Sequence, residues 1–370
     1  MLTHQIETPC LIADFSKVQA NILRMQELCN RHNCALRPHI KTHKSTEIAR
    51  MQIKAGAVGI TCAKVSEAEV MAAGGLTDIF IAYPLIGESK IDRAIMLSRK
   101  IQRLILTVDS LAGANFLSQK AQKHGVNLEI RLEIDTGLRR TGVMLQDAAD
   151  LAAAVHMLPN LQLTGLFTFK SMIHQGSPTL DKRDQAAYEE CSLLSQLSQA
   201  LLERGIKLRD LSVGSTPTGP SCAATGLVNE IRPGTYVFYD QACLLQGSCR
   251  PEDIAVRIFA TVVSVPSPEH AVIDGGSKTF PTDLTLNQPP LHLHSYGYVV
   301  GRDDLRLDRL SEEHGMLRTA DGSPTGLQVG DVLELIPTHI CPAVNLQNHI
   351  YMEEAGILRK LPVDARGMVV

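Results

Sequence analysis

Residues 78–109 read DIFIAYPLIGESKIDRAIMLSRKIQRLILTVD. Two short apolar runs, Asp78 to Tyr83 and Leu104 to Asp109, flank Glu88–Lys100, where apolar residues recur at three- and four-residue spacing with polar residues between. The outer runs suit strands buried on both faces and the middle suits an amphipathic helix, so the segment predicts strand, helix, strand. The same rhythm extends both ways. Strands are predicted at Ala35 to Pro38, Gly59 to Cys62, Leu128 to Asp135, Leu161 to Phe169, Leu211 to Gly214 and Glu230 to Val237, with helices at stretches such as Ser16–His32 and Lys182–Arg204. Eight strands with intervening helices before residue 240 predict an α/β fold, a (β/α)8 barrel. A doubly wound open sheet competes, but no GxGxxG follows the first strand, so a dinucleotide fold has no support.

Beyond residue 240 the texture changes. Ile254–Val265, Ala271–Ile273, Val332–Ile336 and Val344–Met352 are β-branched or alternating runs separated by Pro, Gly and Asp clusters, which predicts a β-rich C-terminal domain. The expected organisation is an N-terminal strand over 1–14 joining the β-domain, a barrel over 15–240, and the β-domain over 241–370.

The chain has 370 residues, 44% hydrophobic, 20% charged and 4% aromatic, a balance that excludes disordered, collagen-like and disulfide-scaffold classes. Lys plus Arg number 36 against 39 Asp plus Glu, with no run of like charges. Nucleic-acid and membrane partners are therefore not expected. The N-terminus MLTHQIETPCLIADF lacks a signal peptide's features, and no apolar run reaches the roughly 18 residues of a membrane span, so a cytoplasmic location is expected. Nine cysteines without a CxxC pair fit neither a disulfide framework nor a zinc ribbon.

A barrel carries its chemistry at the C-terminal ends of its strands. The first such end holds Arg37-Pro38-His39-Ile40-Lys41-Thr42-His43-Lys44. Such lysines can be solvated surface cations, but a desolvated lysine beside other cations loses its proton and can form a Schiff base with a carbonyl compound. Gly214-Ser215-Thr216-Pro217-Thr218 follows the seventh strand; Thr216 as N-cap and Pro217 as first helical residue would make a helix start suited to an anion. His339-Ile340-Cys341 on an extended segment would point an imidazole and a thiolate to one face, able to grip one divalent ion. His292 and His294 share that spacing and read as exposed alternation on a strand.

The cluster at 38–44, DTGLRRTG at 135–142, SVGSTPT at 212–218, RPGTYVFYD at 232–240, EEHG at 312–315 and THICP at 338–342 resemble the D-threonine aldolase and D-serine dehydratase family, pyridoxal-phosphate enzymes with an alanine racemase-like barrel. The resemblance spans about 300 residues in the expected order. It implies pyridoxal 5'-phosphate bound through Lys41 as Schiff base and catalytic residue, rather than Lys44, with His39 beside it. Arg140 would bond the phenolate oxygen, Gly214, Ser215 and Thr216 the phosphate, and Tyr236 the phosphate or ring. His339 and Cys341 would hold a divalent metal in the β-rich domain, Zn before Mn or Mg because a thiolate is soft. Glu313 and His314 match a segment near the metal or a dimer interface.

The implied substrates are small β-hydroxy D-amino acids, and the implied assembly is a homodimer. The expected reaction is retro-aldol cleavage to glycine and an aldehyde. Dehydration of the D-serine or 3-hydroxy-D-aspartate type is the first alternative; an amino-acid racemase using Lys41 and Tyr296 of a partner subunit is the second, and a non-catalytic pyridoxal-phosphate carrier the third. One segment departs from the family: Phe169 stands where a histidine is expected after the sixth strand, with His174 as a nearby replacement.

Overall fold

The computed structural model of the chain describes residues 6–170 and 180–370, so His174 lies outside it. Strand β1 (Cys10–Asp14) runs directly into helix α1 (Phe15–Arg31), where the Asp14 carboxylate accepts from the Lys17 amide at 3.1 Å and so satisfies an orphan donor of the first turn. Strand and helix then alternate: β2 (Ala35–Leu36), α2 (Thr46–Ala55), β3 (Ile60–Cys62), α3 (Val65–Ala73), β4 (Asp78–Pro84), α4 (Glu88–Ser98), β5 (Arg103–Val108), α5 (Leu111–His124) and β6 (Leu128–Asp135). The short β7 (Val143–Met144) pairs only with β6, and α6 (Leu145–His156), β8 (Leu161–Phe167), α7 (Leu180–Glu203), β9 (Asp210–Val213), α8 (Gly219–Ala224) and β10 (Glu230–Ile231) complete the run.

The parallel strands follow the order β2-β10-β9-β8-β6-β5-β4-β3, and the sheet curls until its ends meet. The Val58 amide donates to the Leu36 carbonyl at 3.0 Å, the Thr61 amide to Pro38 at 2.8 Å, and His39 bridges Thr61. The sequence rhythm thus gives the expected eight-stranded (β/α)8 barrel. The eighth strand is shorter than predicted over Glu230 to Val237. Pro233 has no N–H for the ladder, the strand's last backbone bonds are the Arg232 amide to the Val213 carbonyl at 3.1 Å and the His39 amide to the Pro233 carbonyl at 3.0 Å, and Thr235–Val237 turn into a 3-10 helix.

The barrel interior is layered. At its base Arg131 donates to both Glu230 oxygens, at 2.5 and 3.2 Å, and to Asp210 at 3.0 Å, while Arg37 donates to Glu230 at 2.8 Å and Asp78 at 2.5 Å. Above them Phe80 and Phe167 meet edge to face at 5.0 Å and close the middle. Arg131 stacks on Phe80 from one side, and Arg232 on Phe167 from the other, at 4.8 and 5.0 Å. Arg232 therefore stands on the mouth side of the aromatic layer.

After α9 (Gln241–Leu245) come β11 (Val256–Ser267), β12 (His270–Ile273), β13 (Gly297–Val299), β14 (Leu305–Leu310), β15 (Gly315–Thr319), β16 (Val332–Pro337), α10 (Ile340–Asn345), β17 (His349–Glu354) and β18 (Ile357–Pro362). These strands form a second sheet, into which β1 inserts antiparallel to β11 and parallel to β17. The start of the predicted strand Val344–Met352 is instead the end of α10. All nine cysteines are free, and seven are buried. Among the described residues no helix is long and apolar enough to cross a membrane.

Candidate active site

The strand exits at the barrel mouth and the α9 and α10 segments enclose a cavity of about 360 Å³. Of the residues predicted from sequence, His39, Lys41, Arg140, Gly214, Ser215, Thr216, His339 and Cys341 line it. Lys41 sits in a single 3-10 turn, Ile40–Thr42, directly after the first barrel strand. Burial lowers its pKa, and Arg140 and Arg232 push the same way against the pull of Cys341 and Glu67. The amine is thus biased towards its neutral, nucleophilic form. His39 is driven well below the ordinary imidazole range, first by burial and then by Lys41, Arg232 and Arg140, so it stands as a neutral ring. Lys44 does not line the cavity: its ammonium turns to Glu67 at 3.2 Å and the Ala365 carbonyl at 3.4 Å.

Arg140 reaches the cavity because the loop before it is tightly folded. Asp135 accepts the Gly137 and Arg139 amides at 2.8 and 3.1 Å, and Thr141 donates to Glu133 at 2.9 Å. Gly142 is required there, since a Cβ would lie 2.7 Å from the Asp135 nitrogen and its φ is +106°. The Phe169 ring lies 4.9 Å from the Arg140 guanidinium and 5.7 Å from the Lys41 ammonium nitrogen. An apolar ring therefore occupies the place expected for an imidazole.

His339 and Cys341 do not lie on an extended segment. β16 ends at Pro337, His339 is the extended N-cap of α10, and Cys341 falls in its first turn. Asp240 makes this bend by accepting the Ile340 amide at 2.9 Å and the Cys243 amide at 2.8 Å, capping α10 and α9 with one carboxylate. Both side chains still face the cavity. Cys341 Sγ lies 3.2 Å from Thr42 Oγ1, which joins the second sheet's segment to the turn of Lys41. Burial would raise the Cys341 pKa, but His339, Lys41 and Thr42 bring it below the usual thiol value. Burial would lower that of His339, but Cys341 and Asp283, 2.6 Å from Nδ1, carry it well above 6.5. In the metal-free chain the two groups thus favour each other's charged forms, a thiolate at Cys341 and a protonated ring at His339.

Several expectations need correction. Thr216 and Pro217 do not open the helix: α8 starts at Gly219 with Thr218 as cap, and Thr216 lies in the preceding turn. Gly214 lines the cavity, but its amide points away and donates to Glu190 at 3.2 Å. Tyr236 is fully buried outside the cavity, its hydroxyl accepting from Gln52 at 3.0 Å; it serves the site through its amide, which donates to Thr216 Oγ1 at 3.1 Å. His292 and His294 are exposed as predicted but lie in a turn rather than a strand. Glu313 pairs with Lys278 at 2.8 Å.

The sequence also left lining residues unassigned. Arg232, held by Ser212 Oγ at 2.6 Å and the Thr168 carbonyl at 2.7 Å, forms part of the floor. Gly234 and Thr235 line the wall facing Lys41, and a Cβ on Gly234 would meet the His39 carbonyl at 2.9 Å. The Arg-Pro-Gly signal was visible in the sequence, but the 3-10 turn after it rotates Tyr236 out and brings Gly234 and Thr235 in. No local pattern marked Asp283, which is distant in sequence from His339.

Residues 13–242 match the alanine racemase N-terminal domain family, and residues 255–353 match the family described as a putative serine dehydratase domain. The D-threonine aldolase of Arthrobacter sp. is 31% identical over 98% of this chain and 93% of its own length. The D-threo-3-hydroxyaspartate dehydratase of Delftia sp. strain HT23 is 33% identical over 91% of each; a cysteine-to-alanine variant of such a dehydratase, solved in a metal-free form, superimposes with a TM-score of 0.89 at 30% identity over 98% of both chains. The D-threonine aldolase of Filomicrobium marinum superimposes with a TM-score of 0.88 at 28% identity, over 100% of this chain and 99% of that one. Since the match runs through both sheets and through α10 between β16 and β17, the chain belongs to the alanine racemase N-terminal domain family, in the group that includes D-threonine aldolases and D-serine dehydratases.

Proposed function

We propose that this chain is a pyridoxal-phosphate-dependent lyase, active as a homodimer, that uses a divalent ion at His339 and Cys341 to cleave β-hydroxy D-amino acids into glycine and an aldehyde. The observation that carries this is one cavity shared by a lysine biased to its neutral form and a thiolate–imidazole pair.

The residues fit both groups. The amides of Thr216, Gly234 and Thr235 donate to no protein acceptor among the described residues, which leaves three donors for a phosphate, and Gly234 leaves the space a Cβ would fill. A nitrogen and a sulfur donor suit Zn before Mg or Mn. Among the described residues no third His, Cys, Asp or Glu completes a metal cluster with them, so the remaining positions fall to water or substrate oxygens. When bound, pyridoxal phosphate supplies an electron sink at the substrate's α-carbon, and the ion acidifies a hydroxyl that it holds.

The chain's own groups do the rest. Lys41 offers an uncharged amine that can condense with the cofactor's aldehyde and exchange a proton at the α-carbon. Arg140 holds a cation over the Phe169 face, where a phenolate oxygen would be stabilised. Phe169 exchanges no proton, and among the described residues Lys41, 5.7 Å from its ring, is placed to do so. Around His339 the described lining is Ala242, Cys243, Leu284 and Asp240, with Asp283 behind. A β-carboxylate there would face two carboxylates, whereas a methyl or larger apolar β-substituent meets apolar walls.

Elimination to a keto acid and ammonia is the second reading, favoured by the cysteine at position 341, because a dehydratase relative has been solved as a cysteine-to-alanine variant in a metal-free form. The test is purified protein with pyridoxal phosphate and D-threonine, D-serine or D-threo-3-hydroxyaspartate, with and without chelator, assayed for aldehyde, keto acid, ammonia and L-enantiomer together. Metal-dependent acetaldehyde and glycine are expected, with kcat/KM for D-threonine exceeding that for the hydroxyaspartate by about tenfold or more. Metal-dependent keto acid and ammonia would move the chain to the dehydratases. Accumulation of the L-enantiomer regardless of chelator would overturn the lyase assignment.

Asp283 orients the imidazole by accepting from Nδ1. Asp283→Asn is expected to weaken binding of Zn to the holoenzyme by about 10- to 100-fold, the usual cost of losing such a partner, as measured by equilibrium dialysis.

A further inference from the structure

We infer that Glu190 is a positioning residue for the cofactor-phosphate loop, tying the exits of β8 and β9 together behind the cavity so that Ser215 and Thr216 face it; this rests on the pyridoxal-phosphate assignment above. Glu190 projects from α7, the helix that connects these two strands, and its side chain is fully buried. It makes no ion pair among the described residues. A buried carboxylate without a counter-ion is costly and needs other donors. Here it has three, from three segments. One oxygen accepts the Lys170 amide, just past β8, and the Gly214 amide, just past β9, each at 3.2 Å. The other accepts from Cys222 Sγ in α8 at 3.6 Å.

The place of this carboxylate in the sheet explains the arrangement. The β8–β9 ladder ends where the Thr168 amide donates to the Ser212 carbonyl at 3.2 Å, and one residue further along each strand the chains diverge. The next rung is supplied by Glu190 instead of a backbone carbonyl. Gly214 has φ +82°, and a Cβ on it would lie 3.1 Å from the Gly219 Cα. That left-handed turn sends its N–H back to Glu190 while Ser215 and Thr216 swing into the cavity. The loop is then locked from within: the Ser215 amide donates to Thr218 Oγ1 at 3.1 Å, and Thr216 Oγ1 accepts the Tyr236 amide at 3.1 Å. Glu190 links this lock to the neighbouring strand exit. Burial raises its pKa to about 7, against the pull of the Gly214 and Lys170 amides, Arg232 and Cys222, consistent with a carboxyl held for its geometry.

The test separates a phosphate-loop role from general support of the fold. Full-length protein freed of cofactor is titrated with pyridoxal phosphate and, separately, with pyridoxal, which lacks the phosphate, and visible absorbance is followed. Glu190→Ala is expected to raise the Kd for pyridoxal phosphate about tenfold while leaving that for pyridoxal within about twofold. Glu190→Gln, which keeps an oxygen for both amides, is expected to restore most of the lost affinity. Glu190→Asp, which falls short of both amides, replaces the alanine variant if that chain does not fold. An equal loss for both ligands, or an unchanged Kd for pyridoxal phosphate, overturns the assignment while the lyase reading stands. A wild-type chain that takes up no pyridoxal phosphate removes both.

Discussion

Lys41→Ala is expected to lower kcat/KM with D-threonine by about 10³- to 10⁴-fold or more, because it removes both the amine that condenses with the cofactor and the group that would return a proton to the α-carbon after the Cα–Cβ bond breaks. Borohydride reduction of the wild-type holoenzyme should fix the cofactor's mass on the peptide containing residue 41, and the variant should show none. The fold should survive, since Lys41 makes no side-chain hydrogen bond among the described residues and its turn is held by backbone bonds such as the His43 amide to the Ile40 carbonyl at 3.1 Å. A wild-type trap at Lys44 would refute the assignment, although Lys44 is already committed to its buried pair with Glu67. Because the Lys41 pKa is lowered, chiefly by burial, its neutral fraction grows at lower pH than that of an exposed lysine. Wild-type activity should therefore rise through a limb below the ordinary lysine range.

Glu230→Ala is expected to have the largest effect on stability. The carboxylate is the shared partner of Arg37 and Arg131, both fully buried, and it also accepts from Ser212 Oγ at 2.5 Å. Removing one member of a buried pair leaves uncompensated charge in the barrel, at a cost of about 3–5 kcal/mol. The lower end is expected, because Arg37 keeps Asp78 and Arg131 keeps Asp210. Thermal and urea unfolding of holoenzyme would check it. Burial would raise the Glu230 pKa, but Arg131 and Arg37 overcome this and depress it strongly. Its contribution is thus fully present above the ordinary carboxylate value of about 4.3 and is lost as pH falls towards the depressed folded value. The acid-unfolding midpoint of the variant should consequently be less separated from wild type than the neutral-pH stabilities are. Ser212 also holds Arg232 at the cavity floor, so some loss of cofactor affinity should accompany the loss of stability.

The eight-strand rhythm was legible in the sequence because it depends on local periodicity, and Lys41 after the first strand, Arg140 after the fifth and the His339–Cys341 pair were singled out by short motifs through the resemblance they carry. The misplacements came where a local pattern met a tertiary constraint. Glu230 to Val237 looked like one strand, yet Pro233 ends the ladder and a 3-10 turn puts Gly234 and Thr235, rather than Tyr236, on the cavity wall. His339 and Cys341 met by a helix start capped from Asp240, not by alternation on a strand. By itself the sequence determined the strand and helix order and the barrel, because burial periodicity and turn chemistry act over a few neighbouring residues. Only the tertiary structure decided that Gly214's amide faces Glu190, that Asp283 reaches His339, and that Arg37 and Arg131 share Glu230. These contacts join segments far apart in the chain, and their partners are chosen by the need of buried polar groups for hydrogen bonds rather than by any local pattern.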